Sequence, residues 1–119
     1  MLANGIVNSW AMSISKRDPM LMTSFYSDNA CLLATYSNLL VGKKQILDYF
    51  IKFLDKEGLT CKITDNYTVQ IGNSVAYSGL YNFSFYDQGQ FGTVKARYTY
   101  VIKDNQIVMH HSSEQPENK

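Results

Sequence analysis

The chain has no apolar run approaching about eighteen residues, so no segment reads as a membrane-spanning helix. It also lacks any block of Lys and Arg. Eleven basic and ten acidic residues are interspersed and the formal net charge is +1, so nothing supplies the concentrated positive charge that a phosphate backbone needs. Neither a nucleic-acid partner nor a membrane is expected. Residues 1–5 lack the basic and apolar regions of a secretory leader, which makes a cytoplasmic location the default expectation. Cysteine is scarce: Cys31 and Cys61 do not form a metal-knuckle spacing and are expected as two buried free thiols. A Gly-rich phosphate loop, a nucleophile elbow and a paired acidic motif are missing too.

What remains is one domain, residues 1–119, with 45% hydrophobic residues and 18% charged ones. Nine Tyr and six Phe tilt it toward β-structure. Ile6, Val7, Trp10 and Ile14 recur at helical spacing and predict a helix over about 3–16, closed by Lys16 and Arg17. Asp18-Pro19 is an N-cap followed by a first-turn proline. It predicts a second helix with Leu21, Met22, Phe25 and Tyr26 as its buried stripe, ended by a turn at Ser27-Asp28-Asn29. Residues 30–35 read as a short buried strand, 37–42 as a loop, and 43–56 as a third helix with Gly58 as C-cap.

After Gly58 the apolar period changes to two. Strands are predicted over about 59–71, 74–86, 91–103 and 106–113, with hairpin turns at Gly72-Asn73, 87–90 and Asp104-Asn105. The tail 114–119 reads as flexible. The expected class is α+β: three N-terminal helices packed on a strongly curved, mainly antiparallel sheet that leaves a cone with an open mouth.

Four polar features could carry chemistry. The first is His110-His111-Ser112-Ser113 in the last strand. Adjacent strand side chains point to opposite faces, so the two histidines cannot grip one metal ion, and no acidic cluster replaces a third ligand. Alternation puts His111 and Ser113 on the face of Ile107 and Met109, and His110 and Ser112 on the other. The second is Thr35-Tyr36-Ser37-Asn38, where a buried strand enters a loop. The third is Tyr49, at the edge of the third helix's apolar stripe. The fourth is Arg97, opposite the Ala96–Tyr98–Tyr100–Ile102 face, either a solvated charge or an anion contact. Each also has a plain structural reading as packing or strand-exit polarity, and spacing by itself does not choose.

The stretch from Ala30 to Leu54, ACLLATYSNLLVGKKQILDYFIKFL, resembles the iota-class carbonic anhydrases: an apolar strand ending in Thr-x-Ser-Asn, then a helix carrying Asp-Tyr-Phe. The segment from Ala96 to Tyr100 and the ending HHSSEQPE resemble the same family's later strands. This likeness runs from Trp10 to Glu117, within a SnoaL-like group that also holds the calcium/calmodulin-dependent kinase II association domain. The resemblance implies a nuclear-transport-factor-like cone fold, a homodimer or larger assembly, and hydration of carbon dioxide to bicarbonate without a metal or other cofactor.

Carried over by position, the resemblance implies catalytic roles for Thr35, Tyr49, His111 and Ser113. Ser37, Arg97, His110 and Ser112 are then substrate contacts, and a one-residue slip would exchange the two His–Ser pairs. His111 would relay a proton between water and solvent. Two alternatives stand beside this: a non-catalytic assembly or small-anion-binding module of the association-domain type, and a SnoaL-like isomerase or cyclase, which needs a pocket carboxylate.

Overall fold

A computed structural model describes residues 2–116, with side chains from Gly5 onward. The first helix, α1 (Leu2–Ser13), continues into a 3-10 turn (Ile14–Lys16) and buries Val7, Trp10, Ala11 and Ile14. Arg17 turns the chain in the left-handed region (φ 55°), and its Nε donates to the Leu54 carbonyl at 2.9 Å. Helix α2 (Pro19–Ser24) starts as its sequence requires: the Asp18 carboxylate accepts from the Met20 and Leu21 N–H groups at 3.0 and 3.2 Å. It stops after six residues. Tyr26 therefore opens strand β1 (Tyr26–Leu33) instead of completing a helical stripe.

The expected turn at Ser27–Asn29 is absorbed as an irregularity in that strand, where the register shifts between Tyr26 and Cys31. Residues 39–41, expected in a loop, form β2 (Leu39–Val41) against β1. Helix α3 (Lys43–Phe53) ends at Phe53, three residues sooner than expected, with Leu54 as its C-cap. Gly58 is not its cap. It lies inside β3 (Glu57–Ile71) with φ 70°, where a Cβ would meet the Tyr86 ring at 2.9 Å. Strands β4 (Ser74–Asp87), β5 (Gln90–Lys103) and β6 (Gln106–Glu114) complete the meander, with tight turns at 72–73, 88–89 and 104–105. Glu114 ends a strand, and the Gln115 N–H donates to the Lys95 carbonyl at 3.0 Å, so that part of the expected flexible tail is pinned. Residues 117–119 lie outside the described residues.

The six strands form one sheet in the order β2-β1-β6-β5-β4-β3, antiparallel except where β1 runs parallel to β6. The helices cover its concave side, which gives the α+β cone expected from the sequence. Trp10, Tyr26, Phe50, Tyr81 and Tyr100 form the aromatic centre of the core.

One irregularity decides which side chains enter the cone. Val101 pairs with Met109 and Ile102 with Ile107, so Val108 is an extra residue in β6. A bulge of this kind inverts the alternation beyond it. Ile107 points inward, Met109 is exposed, His110 and Ser112 are buried, and His111 is exposed. Unbroken alternation from Ile107 would turn His111 and Ser113 inward, and this one extra residue puts His110 and Ser112 there instead.

A second irregularity is built on Gly79. A Cβ there would lie 2.0 Å from the Asp65 carbonyl oxygen and 2.9 Å from the Tyr98 hydroxyl. That hydroxyl contacts the Asp65 carbonyl and Asn66 Oδ1 at 3.0 and 2.7 Å. Gly79→Ala is expected to destabilise the fold by about 2–3 kcal/mol, as overpacking against rigid backbone does. Urea unfolding measures this directly, and an unchanged midpoint would refute the assigned role of this close approach.

Candidate active site

The cone encloses a half-open cavity of about 420 Å³. Its walls are largely apolar: Trp10, Leu32 and Ala34 on one side, Tyr49, Phe50 and Phe53 from α3, and Phe83, Phe85 and Val94 from the sheet. Lys52 and Lys56 also border it, and among the described residues no Asp or Glu does. Lys56 Nζ lies 4.5 Å from the Phe53 ring centroid and donates to the Phe53 carbonyl at 3.0 Å. Partial burial pulls its pKa below that of a free lysine.

The side-chain hydroxyls of Thr35 and Ser112 enter together. Ala34 to Ser37 make a turn closed by the Ser37 N–H donating to the Ala34 carbonyl at 3.1 Å, with Tyr36 at φ 60°. This is the geometry of a turn that ordinarily places Gly or Asn at its third position. A hydrogen bond from the exposed Tyr36 hydroxyl to Glu114 fastens it. The turn takes Thr35 out of strand alternation and brings its hydroxyl to Ser112, Oγ1 to Oγ 3.0 Å.

Behind this pair, the Tyr81 hydroxyl donates to Ser112 Oγ at 2.6 Å and lies 3.2 Å from His110 Nε2. His110 Nδ1 lies 2.8 Å from the Tyr26 hydroxyl, which accepts from Trp10 Nε1 at 3.0 Å. The imidazole stacks on Tyr100 at 4.0 Å between centroids.

Thr35, Ser37, Tyr49, His110 and Ser112 thus border one cavity. His111, Ser113 and Arg97 stand on the opposite face of the sheet, where Arg97 Nε donates to Ser113 Oγ at 2.9 Å. For those three the expected pocket placement is corrected, and the Val108 bulge is the reason for the His–Ser pair. Arg97 follows plain alternation with buried Ala96 and Tyr98 on either side. From the sequence, Trp10 and Tyr26 have only packing roles. Nothing in spacing marks a core aromatic whose polar atom will find a partner, although buried Tyr and Trp regularly need one. Cys31 and Cys61 are free thiols, half-buried rather than fully buried. Among the described residues no three His, Cys, Asp or Glu side chains gather as a metal site.

The environment fixes His110 as a neutral ring. Burial, and secondarily the charge of His111, lower its pKa from 6.5 to about 3. The unfolded chain then binds a proton near pH 6.5 that the folded chain refuses until about pH 3. The stability this provides is fully present above pH 6.5 and is lost as pH falls through that window. Urea unfolding at stepped pH should show stability dropping between pH 6 and 4 with a slope approaching about 1.4 kcal/mol per pH unit. In His110→Gln that component should vanish; equal slopes in the two proteins would contradict the burial argument.

Comparison with known proteins agrees with this architecture. The chain superposes on a protein from Xanthomonas campestris described as a calcium/calmodulin-dependent protein kinase II association domain, with TM-score 0.86 and 29% identity, covering 97% of this chain and 86% of that one. An NTF2-like superfamily protein from Salmonella enterica serovar Typhimurium gives TM-score 0.81 at 20% identity, covering 97% and 89%. A Streptomyces avermitilis protein of the NTF2-like family, described as a dehydratase, gives 0.85 at 12% identity, covering 96% and 94%. The last two likenesses concern the fold alone. No curated protein matches the sequence. The model of the calcium/calmodulin-dependent protein kinase II association domain matches residues 3–116, and the chain belongs to that family.

Proposed function

We propose that the cone cavity hydrates carbon dioxide to bicarbonate, with the Thr35–Ser112 hydroxyl pair holding the reacting oxygens. The observation that carries this reading is the pair itself: two hydroxyls 3.0 Å apart at the polar end of an otherwise apolar cavity. The apolar walls suit a nonpolar substrate, and the open mouth admits water. Further support comes from the iota-class resemblance. Its threonine, helix tyrosine, histidine and serine fall on Thr35, Tyr49, His110 and Ser112, provided the last-strand pair is taken in the register the bulge imposes.

In the reaction a water oxygen forms a bond to the carbon of carbon dioxide. One C=O electron pair moves onto its oxygen, and the water releases a proton. The hydroxyls of Thr35, Ser112 and Tyr49 are the groups available to the oxygen that gains charge, and fixed hydroxyl dipoles stabilise such charge without reorganising. Lys52 and Lys56 favour the anionic product at the cavity border. His110 does not take the proton: both ring nitrogens are already engaged, and burial disfavours its charged form. The proton leaves through the mouth to solvent buffer. Proton relay by His111, implied by the resemblance, is replaced by this route because His111 lies outside the cavity.

A second reading, self-association, has its own observation. The strand registers line up Val69, Ala76, Val101, Met109, Cys31 and Val41 as one apolar row across the outer face of all six strands. Val69, Met109 and Val41 are exposed in the single chain. Such a stripe suits an isologous contact with a second copy, and the two readings are compatible.

Stopped-flow hydration assays on chelator-treated protein test the first reading. Thr35→Ala and Ser112→Ala should each lower kcat/KM by about tenfold or more, the factor set by about 1.4 kcal/mol of lost transition-state stabilisation. Ser113→Ala, on the outer face, should leave it unchanged. A wild-type rate no faster than buffer would end the proposal. For the second reading, Met109→Glu should shift the protein toward monomer in sedimentation; a monomeric wild type would refute it.

A further inference from the structure

The hydrogen bonds behind the Thr35–Ser112 pair form a single file whose direction follows from counting protons. Trp10 Nε1 can only donate, so Tyr26 accepts from it. At the other end Tyr81 donates its one proton to Ser112 Oγ at 2.6 Å. Tyr81 therefore has none left for His110, and the 3.2 Å contact must be filled by an N–H from Nε2. A neutral imidazole carries one N–H, so Nδ1 is bare and accepts from Tyr26 at 2.8 Å.

This setting leaves no atom of the Trp10–Tyr26–His110–Tyr81 file unmatched. The reverse setting does not. With Nδ1–H and Trp10 both donating to Tyr26, the buried Tyr26 proton would have no acceptor in the file, a costly state in a dry core.

The direction changes what the cavity meets. Thr35 and Ser112 carry two hydroxyl protons, and one is used in their mutual bond. With Tyr81 donating into the pair, one proton remains for a ligand, whichever hydroxyl holds it. In the reverse setting Ser112 would spend its proton on Tyr81 and Thr35 its own on Ser112, and the pair could only accept. We infer that Trp10 and Tyr26 are positioning residues that hold His110 as its Nε2–H tautomer, so that the Thr35–Ser112 pair meets its ligand as a hydrogen-bond donor. The ligand atom at that point is then an acceptor, such as an oxygen bearing negative charge. This builds on the reading of the pair as the ligand-facing end, but the tautomer does not depend on which reaction occurs.

The test is a two-bond proton–nitrogen correlation spectrum of nitrogen-15-labelled protein at pH 7, with the exposed His111→Gln variant identifying the His110 signals. A protonated Nε2 and a bare Nδ1 are expected. A protonated Nδ1, or a doubly protonated ring, overturns the inference whether or not hydration is detected. A single Nε2–H tautomer in a protein without hydration activity would instead reject the proposed reaction and leave the inference standing. In Tyr26→Phe the ring should become a mixture of tautomers, and the affinity for bicarbonate, followed by titrating sodium bicarbonate into the labelled protein, should fall about tenfold. Retention of both the single tautomer and wild-type affinity overturns the positioning role. Should Tyr26→Phe not fold, Trp10→Phe carries the same comparison.

Discussion

His110 can occupy the centre of the cone only because both its nitrogens have partners and its face has a ring to lie on. A buried polar group left unmatched costs as much as several packing contacts gain, so Tyr26, Tyr81 and Trp10 are tied to the histidine as firmly as it is to them. These partners come from α1, β1 and β4 and meet a histidine on β6, elements far apart in sequence. The polar file therefore joins the helical layer to the sheet at the depth where the aromatic core is densest. What reaches the cavity, the Thr35–Ser112 pair, is the exposed end of an arrangement whose main contacts are internal.

The two faces of the sheet divide their work accordingly. The concave face carries aromatic rings and the buried hydroxyls, and among the described residues no carboxylate borders the cavity. The convex face carries an apolar row flanked by Arg97, Ser113 and His111, a pattern suited to contact with protein rather than with a small molecule. The proposed assembly surface and the proposed ligand cavity are therefore not rivals. They draw on opposite sides of the same strands.

A turn and a bulge set the geometry between them. At Tyr36 the left-handed backbone swings Thr35 inward, and at Val108 an added residue swings His110 and Ser112 inward. Either device alone would leave one hydroxyl facing a wall. Tyr36 is an unfavourable residue for its conformation, and its bond to Glu114 at the end of β6 links the turn to the strand that carries Ser112.

The sequence was enough for the class of fold, the Asp18 cap, α3, the long hairpins and the two alternating faces of β5, because these depend on local period and local capping. It also marked Thr35, Tyr49 and the His–Ser tetrad as the polar groups worth watching. Which half of that tetrad enters the cone depends on pairing between distant strands. Strand alternation is reliable between irregularities, and the extra residue at Val108 is defined by its partner strand, not by any feature of its own side chain. The same holds for β2 and for the early start of β1, whose pairing energy comes from neighbours distant in the chain. Trp10 and Tyr26 were legible as core. Their polar atoms acquired roles only when packing brought them within bonding distance of one buried imidazole.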